Sequence, residues 1–163
     1  MGKLRNMSTV YLTCNDKILL LYRKGSIVIA DSWTGSAGGH FEEQELNDAR
    51  ACVLRELNEE LAVDEKMIEK LKLKYITLRR TNGEIRQNYY FFAELKNGEN
   101  LQLKSNEGEV EWFPLNDELN KLNMPFTAQH VIRHYLNIGK HTNKTYGGIA
   151  NEKEVVFSDL PEF

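Results

Sequence analysis

Apolar residues fall in short, mostly β-branched or aromatic runs separated by polar turns, and only two stretches carry a helical period. Residues 8–13 (Ser-Thr-Val-Tyr-Leu-Thr) and 18–23 (Ile-Leu-Leu-Leu-Tyr-Arg) flank Asn15-Asp16-Lys17, which predicts a hairpin. Residues 26–41, with Trp33, Gly35, Gly38 and Gly39, read as a strand broken by loops. A helix is predicted from Asn47 or Asp48, both good N-caps, because Ala49, Val53, Leu57 and Leu61 recur every fourth residue with Leu54 beside them. Residues 72–78 and 87–95 read as strands around the turn signal Thr81-Asn82-Gly83-Glu84. Glu109 to Pro114 gives a short strand and Ala128 to Asn137 a second helix. The tail from Tyr146 ends in Val155-Val156-Phe157, which suits an edge strand, a dimer contact or a lid. Many strands with two scattered helices predict an α+β domain built on a mixed sheet.

Composition narrows the function classes. The chain has 163 residues, of which 41% are hydrophobic and 28% charged, enough for one domain with a real core. A net charge of −3 supplies no basic field for long nucleic acid, but a small anionic ligand stays open. The longest apolar run, around Ile18 to Tyr22, is far too short to span a bilayer, and the N-terminus has no apolar core of signal-peptide length. Cys14 and Cys52 form no CxxC pair, so reduced thiols and a cytoplasmic setting are expected. Cys52 reads as a small buried residue inside the first helix.

The densest chemical signal is Arg55-Glu56-Leu57-Asn58-Glu59-Glu60. On a helix Glu56 shares a face with Glu59 and Glu60, and like charges at that spacing repel by a few tenths of a kcal/mol per pair. Most glutamate-rich helix faces are simply solvated. Here the upstream loop Gly38-Gly39-His40-Phe41-Glu42 permits a close backbone approach, and hard divalent cations favour carboxylate and carbonyl oxygens.

Glycine loop, helix and REUxEE together resemble the Nudix box, G-x5-E-x7-R-E-U-x-E-E-x-G-U, from Gly39 to Val63. The strand Ile18–Arg23, Trp33, Tyr89-Tyr90-Phe91-Phe92 and Glu109-Val110-Glu111-Trp112 also resemble features of that family, so the likeness covers roughly residues 7–137. Two departures stand out. Nine residues separate Glu45 from Arg55 instead of seven. Two extra residues inside a helix would rotate everything beyond by about 200°, so the insertion is expected before the helix, within 43–47. Counting back from Arg55 then puts Asn47 at the position of Glu45. The second departure is Ala62 where the pattern has glycine, a position suited to a left-handed helix ending.

The resemblance implies a mixed-sheet α/β/α sandwich, a single domain over 1–163 with 143–163 as its C-terminal extension, and hydrolysis of a nucleoside diphosphate linked to another group. It implies Mg²⁺, with Mn²⁺ an alternative, bound by Glu56, Glu59, Glu60 and the Gly39 carbonyl. Glu59 or Glu60 would be the general base. Arg55 would orient a carboxylate, with Glu45 its partner. A further acidic ligand is expected from Glu107 or Glu109, ahead of Glu111. Substrate contacts are expected from Arg23, Lys24, Trp33, Gly38, His40 and Tyr90, with Phe92 a further stacking candidate. His130 and His134 read as surface or half-buried residues. Subfamily marks of the ADP-ribose, NADH and diadenosine-polyphosphate types are not seen, which leaves the MutT-like group acting on nucleoside triphosphates such as 8-oxo-dGTP. A dinucleoside polyphosphate or nucleotide sugar is the alternative substrate, and a non-catalytic nucleotide-sensing module the third reading. Partners would be a small nucleotide only, with no long nucleic acid and no membrane, in a monomer or homodimer.

Overall fold

The computed structural model describes residues 2–27 and 30–163. Among them are nine strands and two α-helices: β1 (Lys3–Cys14), β2 (Lys17–Arg23), β3 (Ser32–Thr34), β4 (Ala37–His40), α1 (Ala49–Leu61), β5 (Ile68–Thr81), β6 (Glu84–Leu95), β7 (Glu109–Pro114), α2 (Phe126–Asn137), β8 (Tyr146–Ala150) and β9 (Val155–Asp159). Of the stretch 26–41 read as a broken strand, Val28 and Ile29 lie outside the described residues. No helix among the described residues is long and apolar enough to cross a membrane.

The strands form one mixed sheet in the order β3-β2-β1-β6-β5-β8-β9, with β4 paired to β1 and β7 to β2. The β1–β6 and β5–β8 pairings are parallel. Asn15 and Asp16 both take positive φ in the β1–β2 turn, as do Asn82 and Gly83 in the β5–β6 turn, the geometry of two-residue hairpin loops. Alternation along the strands sorts the core into two layers. Val10, Leu12, Leu19, Phe91 and Ala93 pack with Val53, Leu57 and Leu61 of α1. Tyr11, Ile18, Leu20, Tyr90 and Phe92 pack with Val131, Ile132 and Leu136 of α2. The sheet is thus buried on both faces, a mixed sheet as the residue pattern predicted and the α/β/α sandwich that the resemblance implied.

Three corrections concern element ends. β5 starts four residues before and ends three residues after its predicted limits, and β6 starts three residues early, because paired polar residues such as Arg79 and Arg86 carry the ladder past the core. β1 likewise begins at Lys3, held by the full-length parallel pairing with β6. The tail supplies two strands, not one. β8 pairs with β5 and puts β9 at the sheet edge, and buried Lys74 donates to the Thr142 and Lys144 carbonyls at 2.9 Å each.

α1 begins at Ala49, with the Asp48 carboxylate accepting from the Ala51 N–H at 2.9 Å. It ends in Ala62 at φ 54°, ψ 33°, whose N–H bonds back to Asn58 and Leu57. A side chain in the left-handed region costs about 1 kcal/mol. Ala62→Gly is therefore expected to raise unfolding free energy by about 1 kcal/mol in urea titration. An unchanged or lower midpoint would show that the helix end carries no such strain.

Candidate active site

β4 places the glycine pair directly against α1. A Cβ on Gly39 would lie 2.3 Å from Glu56 Oε1, and one on Gly38 would lie 2.4 Å from the Ser8 carbonyl. Only glycine leaves the space in which backbone and carboxylate meet. The Gly39 carbonyl faces α1, 4.0 Å from Cys52 Sγ one turn before Glu56. Ser36 fixes the crossing from β3 to β4. Its buried hydroxyl donates to the Leu19 carbonyl at 2.6 Å and accepts the Leu12 N–H at 2.9 Å.

Arg55 is the hub of the charged residues. Its Nε and Nη2 grip Glu45 bidentately at 2.7 and 3.0 Å. Nη1 reaches Glu59 at 2.9 Å, and Nη2 reaches both the His40 carbonyl at 3.2 Å and Glu56 at 3.0 Å. Glu45 is 4% exposed, and Arg55's grip holds its carboxyl below the usual range. The same pair raises the Arg55 pKa. Glu45 sits in a single 3-10 turn, Glu43–Glu45, closed by its own Oε1 accepting the Glu42 N–H at 3.0 Å. Residues 46–48 connect that turn to the helix. Glu45, not Asn47, therefore faces Arg55.

Glu56 and Glu60, one helical turn apart, are each 8% exposed, and Glu56 is among the groups that raise the Glu60 pKa. The Gly38 N–H donates to Glu60 at 3.3 Å. Burial first, then the adjacent Glu56 carboxylate, pushes the Glu60 carboxyl up to about 7. Among the described residues no three His, Cys, Asp or Glu side chains already converge on one point, because Arg55 draws the half-exposed Glu59 to its outer side. Two touching carboxylates beside a backbone carbonyl nevertheless fit a divalent cation. Mg²⁺ keeps several waters and takes further oxygens from substrate phosphates.

A cleft of about 530 Å³ opens at this point, bounded by Gly38, Gly39, His40, Glu56, Glu60 and Glu107. Arg23 lines it and pairs with Glu107 at 3.9 Å. Its floor is Tyr11, Thr77, Asn88 and Tyr90, and its far wall Arg79, Arg86 and the first turn of α2. Thr9 donates to Asn88 at 3.2 Å, while Thr77 and Asn88 bond the Tyr90 oxygen. Among the described residues, the Tyr11 hydroxyl is the one buried side-chain polar atom with no hydrogen-bond partner. His40 accepts from Arg5 at Nε2 (2.7 Å), and burial followed by the Arg5 charge lowers its pKa.

The structure gathers Gly38, Gly39, His40, Glu45, Arg55, Glu56, Glu60, Glu107, Arg23 and Tyr90 at or around the cleft. It does not bring Lys24, Trp33, Phe92 or Glu109 there. Trp33 packs between Tyr22 and Phe113 at 5.0 and 4.7 Å, half-buried against the core. Phe92 is core as well, stacked on Tyr11 and Tyr135. Lys24 is exposed past the end of β2, and Glu109 is exposed opposite Tyr22 on β7. Cys52 is fully buried, and burial pushes its thiol up to about 11. His134 is tied to the Tyr75 hydroxyl at 2.8 Å, and His130 to the Phe126 carbonyl. Sequence reasoning missed Tyr11, Thr77, Asn88, Arg79 and Arg86. Their signal was strand alternation, since each projects from the same sheet face as Tyr90.

A model of the NUDIX domain family matches residues 3–135. Comparison with curated protein sequences returns no match. Among solved structures, the MutT protein of Bacillus halodurans aligns over 97% of this chain and 99% of its own, at 21% identity and TM-score 0.64. The E. coli ORF135 protein aligns over 87% and 95%, at 18% identity and TM-score 0.63. A C. elegans Ap4A hydrolase aligns over 86% and 99%, at 17% identity and TM-score 0.62. The chain belongs to the NUDIX domain family. It is an enzyme, a Nudix pyrophosphohydrolase.

Two outcomes follow from the charge arrangement. Arg55→Ala leaves the Glu45 carboxylate buried and unpaired, and should cost about 3 kcal/mol in chemical denaturation. Arg55→Lys keeps the charge but not the fork, and should recover only part of it. For Glu60, the raised folded pKa means that the folded state binds the proton more tightly than the unfolded chain. Its contribution is therefore present at low pH and lost as pH rises from about 4.5 toward 7. In metal-free buffer the melting temperature of Glu60→Gln should gain on wild type between pH 5 and pH 8. A constant difference would show that Glu60 ionises as it does in the unfolded chain.

Proposed function

We propose that this enzyme uses Mg²⁺ to cleave a pyrophosphate bond of a nucleoside triphosphate, including oxidised forms such as 8-oxo-dGTP, to the monophosphate and pyrophosphate. The observation that carries the reading is the Glu56–Glu60 pair seated against Gly38-Gly39 at one end of a cleft large enough for a nucleotide. Mn²⁺ would suit the same oxygen donors.

Polyphosphate repels an anionic nucleophile, and charge builds on the phosphoryl oxygens as the bond breaks. A bound Mg²⁺ would neutralise that charge and acidify a water. Glu56, Glu60 and the Gly39 carbonyl would hold it. Glu107, across the cleft, is the further acidic ligand in reach of the same region. Arg55 keeps Glu56 aimed through its 3.0 Å contact while its own position is fixed by Glu45. The attacking water's proton passes to Glu59, exposed and aligned by Arg55, or to Glu60. The nucleoside lies on the floor, where Tyr90, Asn88 and Thr77 present a polar surface and the Tyr11 hydroxyl awaits a partner. Gly38 and His40 form the adjoining wall, and Arg23 meets the phosphates.

The same reading takes residues 1–163 as one domain, with 143–163 built into its sheet through β8 and β9. The enzyme would act in the cytoplasm, with Cys14 and Cys52 as free thiols, as a monomer or homodimer.

The test is a nucleotide panel with Mg²⁺, following monophosphate, pyrophosphate and phosphate. Turnover of dGTP or 8-oxo-dGTP to monophosphate plus pyrophosphate is expected. Glu56→Gln and Glu60→Gln should each lower kcat by about 100-fold or more with the fold intact. Preferred release of a sugar phosphate, or of ATP from a dinucleoside polyphosphate, would move the substrate to that class. Near wild-type rates in both variants would remove the metal assignment.

A further inference from the structure

Three arginines stand side by side across the platform that floors the cleft. Strand pairing sets Arg5 of β1 opposite Arg86 of β6, and Arg86 opposite Arg79 of β5. Alternation puts Arg86 on the face of Asn88 and Tyr90, and Arg79 on the face of Thr77, so both line the cleft. Arg5 reaches it through His40. Like charges directly opposite across a ladder are destabilising, and here the arrangement occurs twice in one row. A single carboxylate serves it: Glu84 accepts from Arg5 at 3.2 Å and from Arg86 at 3.1 Å. Arg79 has no carboxylate partner among the described residues, and its guanidinium lies 5.3 Å from the centre of the Phe126 ring.

A second source of positive potential adjoins the row. Phe126 opens α2, whose N-cap, Pro125, offers no side-chain acceptor, and Pro125, Thr127 and Ala128 line the cleft. The free N–H groups and dipole of that first turn face the same space as Arg79. The chain as a whole carries −3, so this wall is a local reversal of sign.

We infer that Arg79 and Arg86, backed by Arg5, bind a phosphate group of the substrate that lies outside the scissile diphosphate. This rests on reading Glu56 and Glu60 as the metal end of the cleft. Glu56 meets Gly39 opposite Ser8, and Arg5 lies three residues further along β1, about 10 Å at a strand's rise. A ligand that touches both ends is extended and anionic at two places. Nucleotides with three or more phosphates have that form, as do nucleoside diphosphates with a further phosphate on the ribose. A plain diphosphate-linked sugar does not. The arginine row is a specificity element that selects phosphate number, independent of the metal.

The test is calorimetric binding in EDTA, so that no metal contributes. The probes are inorganic pyrophosphate, inorganic tripolyphosphate, ADP, and ADP bearing a 3′-phosphate. Wild type should bind tripolyphosphate at least 10-fold more tightly than pyrophosphate if the phosphate lies in the chain. It should prefer the 3′-phosphorylated ADP to ADP by a similar factor if the phosphate lies on the ribose. Either preference should vanish in Arg79→Gln/Arg86→Gln and return in Arg79→Lys/Arg86→Lys, with melting temperatures confirming that all variants fold. Equal binding of all probes by wild type, or an unchanged preference in the glutamine variant, would overturn the inference. Hydrolysis by the wild type remains a separate result, because loss of the arginine effect leaves the carboxylate end untouched.

Discussion

The bidentate grip of Arg55 on Glu45 is the interaction on which the site's geometry depends. It joins the 3-10 turn after β4 to the middle of α1, and it does so with a buried carboxylate that has no other salt-bridge partner among the described residues. Once the guanidinium is fixed there, its remaining donors reach His40, Glu56 and Glu59. One side chain therefore sets the distance between the glycine loop and the acidic face. The fold supplies the other half. Ser36 locks the crossing from β3 to β4, which presses Gly39 onto the helix and Gly38 onto the β1 backbone so closely that neither position has room for a side chain.

Two carboxylates held together in this way oppose each other, and burial with the neighbouring Glu56 charge pushes the Glu60 carboxyl up to about 7. Across the cleft the sign reverses. Arg5, Arg86 and Arg79 outnumber their one carboxylate, and the start of α2 adds to them. Between the two ends lies a neutral polar floor of Thr77, Asn88 and Tyr90. A cleft with acidic, neutral and basic zones in line suits a ligand with metal-bound phosphate at one end and a further anionic group toward the other.

Much of this was legible in the sequence. The shared face of Glu56 and Glu60 follows from a period of 3.6 residues and the close approach of Gly38-Gly39 from the absence of side chains, whereas Glu59, expected beside them, turns outward to Arg55. The place of the two extra residues was less legible. Counting along the chain set Asn47 opposite Arg55, whereas the 3-10 turn lets the backbone loop out at 46–48 and returns Glu45 to the guanidinium. Trp33 and Lys24 were misplaced because residue type tells little about which side of a short strand faces the ligand. The arginine row was invisible for a different reason. Arg5 and Arg79 are far apart in sequence, and only the parallel β1–β6 pairing with its antiparallel neighbour brings them into register.

The central claim is that α1 and the glycine loop form a divalent cation site whose ligands are Glu56, Glu60 and the Gly39 carbonyl. Anomalous diffraction from crystals equilibrated with Mn²⁺ and a non-hydrolysable nucleotide tests it most directly. The account predicts a manganese peak within about 2.3 Å of a Glu56 oxygen, a Glu60 oxygen and the Gly39 carbonyl oxygen. A peak seated instead on Glu109 and Glu111, or none on α1 with nucleotide bound, would contradict it.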